Sequence, residues 1–101
     1  MSFDRAASFV LAREGGTLTD DPKDPGGLSR YGIALARHPE LKADDIRAMT
    51  PERARAIYFS DYWMKVSGDQ WPDAYSVSIL DAAILQGPET AVRFAQAALY
   101  V

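Results

Sequence analysis

The chain has 101 residues, 48% of them hydrophobic and 25% charged, with a net charge of −3 and no cysteine. That length bounds it to one small domain with one modest core, and the missing cysteine excludes disulfides and thiolate metal sites. The acidic balance argues against nucleic acid as a partner, and no apolar run nears the roughly 20 residues that cross a membrane, so no membrane insertion is expected. No signal peptide is visible either, so the expectation is a chain made in the cytoplasm that reaches any extracytoplasmic target by another release route.

Helix periodicity begins at once. Phe3, Ala6, Ala7, Val10 and Leu11 fall on one face at helical spacing, with Ser2 as the expected N-cap. Gly15 and Gly16 supply the stop, which predicts Glu14 as the last helical residue or nearly so. Asp21-Pro22 and Asp24-Pro25-Gly26-Gly27 are turn signals. Around them Leu28, Tyr31 and Ile33 predict a small irregular hairpin. A short helix is predicted over 43–49. Thr50-Pro51-Glu52 then marks a strong helix start, with Thr50 as cap and Pro51 at the first helical position. That helix is predicted to run to about 65–68. Residues 74–86 are apolar almost all round, as in a helix buried on most sides, and Gly87-Pro88 ends them. A last amphipathic helix is predicted over 89–99. The sequence stops inside its pattern, so a further domain or a virion protein is expected to contact that helix.

Glu14 carries the chemistry. A carboxyl group at a helix C-terminus faces the negative end of the macrodipole, and partial burial adds desolvation. Both favour the neutral acid, the form that protonates a glycosidic oxygen. Glycoside hydrolysis needs a second carboxylate across the bond, and Asp20, Asp21 and Asp24 follow on a loop able to fold back. Two of the three have a simpler role as Asx-turn residues. Gly26 and Gly27 allow a sharp turn and a close approach to ligand, and Ser29 can hold a water.

Glu-Gly-Gly at 14–16, Asp-Pro-Gly-Gly at 24–27, Ser29 and Tyr-Gly-Ile at 31–33 together resemble the signature of glycoside hydrolase family 108. These are phage and bacterial endolysin-type N-acetylmuramidases related in fold to lysozymes. The stretch 76–99 resembles the family's later Phe-Asp-x-x-x-Asn-x-Gly-Pro segment. The resemblance implies a mainly α, lysozyme-like fold of α+β type over 1–101, with helices around one buried apolar helix and a small β-hairpin lobe. Within it, 14–36 would carry the catalytic helix end and hairpin, and 43–101 the helical lobe. It implies peptidoglycan as the partner, cleaved between N-acetylmuramic acid and N-acetylglucosamine, with no metal and no cofactor. It assigns Glu14 as general acid, Asp24 as second carboxylate and Ser29 to the family's threonine position. The chain departs from the pattern at Thr17, Ser29 and Gln86, where the family favours an aromatic, Thr and Asn.

Tyr31, Trp63 and Trp71 are the candidate sugar-stacking residues beside Gly26 and Gly27, while Tyr58 and Tyr62 share a helix face and read as core. His38 has no second His or Cys nearby to form a metal site. Two rival readings remain. A lytic transglycosylase would use Glu14 alone. A cell-wall-binding or virion structural module would keep the fold without turnover.

Overall fold

The computed structural model of the chain describes residues 2–20 and 27–99. Helix α1 (Ser2–Glu14) buries Phe3, Ala6, Ala7 and Val10 along one stripe, as the helical spacing requires. Ser2 is its first residue, and the Ser2 hydroxyl donates to the Asp73 carboxylate rather than capping its own helix.

Strands β1 (Thr19–Asp20), β2 (Leu28–Arg30) and β3 (Ile33–Ala34) form an antiparallel sheet in that order. Thr19 lies opposite Ser29 and Asp20 opposite Leu28, while Ser29 also faces Ala34 and Arg30 faces Ile33. The β2–β3 turn is Tyr31-Gly32, with φ of 56° and 80°. Positive φ at both central positions is what a two-residue type I′ hairpin demands. Glycine adopts it freely, whereas tyrosine there costs about 1 kcal/mol or more. The surroundings must hold Tyr31 in place, and the Tyr58 hydroxyl does so by donating to the Tyr31 carbonyl.

A single 3-10 turn (Leu35–Arg37) leads to α2 (Ala43–Arg47) and then α3 (Pro51–Ile57). Thr50 caps α3, its side chain accepting from the Arg53 N–H at 3.1 Å. The helix continues as a π-helical segment (Tyr58–Trp63), where the Met64 N–H reaches back five residues to the Phe59 carbonyl at 3.0 Å. Sequence periodicity predicts one helix here and gives no sign of the wider turn. The physical reason lies in the core residues Ala54, Tyr58, Tyr62 and Val66, all buried at intervals of four. In an α-helix each step of four overshoots a full turn by about 40°. The wider π turn absorbs that drift and keeps all four on one face.

Two 3-10 turns (Gly68–Gln70 and Asp73–Tyr75) precede α4 (Ser76–Gln86), and α5 (Pro88–Leu99) follows it. Helix α4 packs on α1 at one side and α5 at the other. It buries Ser76, Ile79, Leu80, Ala83 and Ile84, but leaves Leu85 half exposed. Arg37 donates to the Ile84 and Leu85 carbonyls at 3.0 Å each, satisfying the C-terminal end of α4. On α5 the buried contact is Ala91, and Phe94 stays largely exposed.

Candidate active site

Glu14 closes α1. Gly15 takes φ of 69° and returns its N–H to Leu11 at 2.9 Å, so the helix stops and the glutamate side chain stands at its end. That side chain keeps a quarter of its surface exposed, enough contact with solvent to meet a ligand. Its other sides are walled. The Gly32 backbone packs against it so closely that a Cβ on Gly32 would lie 3.5 Å from the Glu14 carboxyl carbon and 3.1 Å from an Ile84 methyl. The hairpin turn and α4 therefore meet at Glu14.

Arg30 fastens the turn after Glu14 to the sheet. Its Nε donates to the Gly16 carbonyl at 2.8 Å and its Nη1 to the Arg47 carbonyl at 2.7 Å. Tyr31 is half-buried against Gly16, where a Cβ would sit 2.9 Å from the tyrosine hydroxyl. The Arg30 guanidinium lies 5.9 Å from the Tyr31 ring centre, within cation–π range. Burial, with the Glu14 charge second, pushes the Tyr58 hydroxyl well above its ordinary range. It stays a neutral donor.

Charge reaches Glu14 through Arg13. The guanidinium forms a two-pronged pair with Asp81 of α4: Nη1 donates to Oδ2 at 2.9 Å and Nη2 to Oδ1. The same Nη2 touches Glu14 Oε1 at 3.4 Å. Glu14 therefore meets a cation at its edge while it stands at the negative end of the helix.

The candidate residues separate clearly. Glu14 and Tyr31 share this site. Gly27, with φ of 55°, leads into β2, and Ser29 sits half-buried at the centre of the sheet. Asp24 and Gly26 lie outside the described residues. The expectation that Trp63 lines a sugar groove is corrected: Trp63 is 1% exposed, inside the core. Its indole donates to Asp69 at 3.3 Å, and its ring packs against Phe3. The reason is the π segment, which turns Trp63 inward beside Tyr62. Trp71 is half-buried, donates to the Val66 carbonyl at 2.7 Å and borders a separate cleft lined by Lys65, Ser67, Gln70, Pro72, Val92 and Gln96. That cleft shares no residue with the surroundings of Glu14. Sequence reading did not single out Arg13, Arg30, Gly32 or Asp81. The Tyr-Gly pair before a β-rich Ile was the available signal for Gly32; nothing local links Arg13 to a residue so far along the chain.

His38 is buried, with Nδ1 at 3.0 Å from Glu40 and 3.3 Å from Asp61, and Nε2 at 2.8 Å from the Tyr62 hydroxyl. Among the described residues these three acidic and imidazole groups are the set whose donor atoms could surround a cation. With the proton on Nδ1, hydrogen bonds satisfy both ring nitrogens. Glu40 is held below the usual carboxylate range by a backbone hydrogen bond, then by His38, with Lys65 adding positive charge.

The sequence pattern of the Glycosyl hydrolase 108 family matches residues 7–87. That span holds Glu14, the hairpin, the π segment and α4. Among solved structures, that of Brucella abortus SagA is similar with a TM-score of 0.78 and 38% sequence identity. The match covers 90% of this chain and 55% of that one, so the chain spans about half the length of SagA. No curated protein matches. The architecture is mainly α and lysozyme-like.

Proposed function

The chain belongs to glycosyl hydrolase family 108, a family of peptidoglycan hydrolases, and on that premise we propose that it is an N-acetylmuramidase. It cleaves the β-1,4 bond from N-acetylmuramic acid to N-acetylglucosamine. The observation that carries the reading is the placement of Glu14. One carboxyl group stands at a helix end, a quarter exposed, against the backbone of a strained hairpin turn.

In this reading Glu14 gives a proton to the glycosidic oxygen as the bond to the anomeric carbon breaks. Asp24 stabilises the cationic sugar or orients the attacking water, and Ser29 assists it. Tyr31 and Gly27 border the sugar-binding face, and Gly26 adds to it. The neutral Tyr58 hydroxyl holds the Tyr31 carbonyl and so keeps the wall behind Glu14 rigid. We place the protein as an endolysin or virion-associated hydrolase that reaches the cell wall after membrane permeabilisation or from the particle.

The test is turbidity loss of outer-membrane-permeabilised Gram-negative cells, with wild type beside Glu14→Gln and mass spectrometry of the fragments. Loss of a general acid costs about 10²–10⁴ in rate. Lysis confined to wild type, with reducing muramic ends, is the expected result. Anhydro ends would convert the assignment to a lytic transglycosylase. A folded wild type that lyses nothing, yet binds peptidoglycan, would make it a binding or structural module.

A further inference from the structure

Arg13 faces two carboxylates with one guanidinium and divides itself unevenly between them. Its full fork goes to Asp81, with both terminal nitrogens engaged. Glu14 receives only the flank of Nη2, at 3.4 Å. Fork pairing is the stronger geometry for guanidinium and carboxylate. Asp81 therefore wins the cation, although Glu14 is its neighbour in sequence. Residues 13 and 14 point to adjacent faces of one helix, so Arg13 needs a partner from elsewhere to be drawn off. Helix α4 supplies it, and α4 is also the element whose Ile84 walls Glu14.

We propose that Asp81 is a positioning residue that acts through Arg13: by taking the fork it holds the guanidinium at the edge of Glu14, orienting the carboxyl group without locking it into an ion pair. Without Asp81 the fork turns to Glu14. The carboxylate is then locked into an ion pair. Asp81 thus meters how much of the Arg13 charge Glu14 feels.

The charged and titratable groups around Glu14 among the described residues are few. Arg13 comes from α1 itself, Asp81 from α4, Tyr58 from the π segment, and Arg30 and Tyr31 from the hairpin. Tyr58 is neutral, and Arg30 is committed to backbone carbonyls. Arg13 is the cation in direct contact with the Glu14 carboxylate.

The proposal rests on the reading of Glu14 as the acid of the reaction, and the experiment keeps the two separable. Carbon-13 NMR of the Glu14 carboxyl is followed against pH in the purified chain, for wild type, Asp81→Asn, Arg13→Gln and the double variant. Only folded protein gives the resolved signal, and Asp81→Asn preserves shape. Asp81→Asn is expected to lower the Glu14 midpoint by about one pH unit, and Arg13→Gln to raise it. In the Arg13→Gln background, Asp81→Asn is expected to move it by less than half as much. The alkaline limb of the lysis profile should follow the midpoint in kcat. An equal fall in both backgrounds would reduce Asp81 to a plain repulsive charge and overturn the proposal. No movement in either would overturn it too. Lysis that survives Glu14→Gln would sink the muramidase reading, while the titration still judges Asp81.

Discussion

Gly32→Ala tests whether the hairpin turn and Glu14 are as tightly coupled as the distances say. Two separate costs follow from the structure. Gly32 has φ of 80°, and an L-residue in that region is disfavoured by about 1–2 kcal/mol. The new Cβ would also lie 3.1 Å from the Ile84 methyl, inside ordinary carbon–carbon contact of about 3.5–4.0 Å. Ile84 is 1% exposed in the core, so neither side yields freely, and such overpacking costs about 1–3 kcal/mol. The sum is about 2–5 kcal/mol, a large part of the roughly 5–15 kcal/mol that holds a domain folded. The assay is urea unfolding, with Gly15→Ala as control. Gly15 has φ of 69° but nothing within 4 Å of a built Cβ, so it pays the backbone cost alone. Gly32→Ala should lose at least 1 kcal/mol more than Gly15→Ala, with the urea slope unchanged. Equal losses would refute the close approach of the turn to Ile84 and Glu14.

Two further outcomes follow from the same packing. Gly68→Ala places a Cβ 2.2 Å from the Trp63 ring; with Trp63 fixed in the core, a loss of about 3 kcal/mol or more is expected in thermal unfolding, and a loss below 1 kcal/mol would mean that the ring is free to move. Stability against pH should form a plateau bounded on both sides, read from urea midpoints. Asp45 is lowered mainly by the Lys42 N–H and Asp73 mainly by the Ser2 hydroxyl. Lowered carboxylates contribute above about pH 4 and lose that contribution as pH falls through the folded values. Burial raises Tyr58 and Tyr62 above the ordinary value of 10.0, so their contribution is intact below about pH 10 and fades above it. Tyr62→Phe should flatten the alkaline arm and Asp73→Asn the acid arm; an unchanged arm in either variant contradicts the corresponding cause.

Those features that depend on nearest neighbours in sequence were legible. Phe3, Ala6, Ala7 and Val10 announced the inner face of α1, Gly15 announced its end, and Thr50-Pro51 announced α3. Glu14 was legible as a consequence, because its position follows from where the helix stops. Tyr31 was named from its motif, but not its left-handed backbone, which is imposed from outside by the Tyr58 hydroxyl. Trp63 was misread because a loop follows shortly after it. The π turn that carries it inward left no mark in the pattern, because Ala54, Tyr58, Tyr62 and Val66 recur at the i, i+4 spacing that an ordinary helix also shows. The Arg13–Asp81 fork joins α1 to α4 across 68 positions. No local pattern encodes such a pair; it exists only after the two helices have packed.

The π segment decides which alterations the chain can absorb between Ala54 and Val66. Substitution is easy at its outward position Ser60, which is exposed and bonds to nearby groups of its own helix. Gain of one residue before Tyr62 is a different event. The wider turn already holds one residue more than an α-helix fits into the same rotation, so another would swing everything beyond by about 100°. Val66 and Trp63 would leave the core together, the Trp63 packing against Gly68 would dissolve, and the Tyr62 link to His38 would part. Over this stretch the length of the chain is a harder constraint than its spelling, and the register of the whole C-terminal half hangs on it.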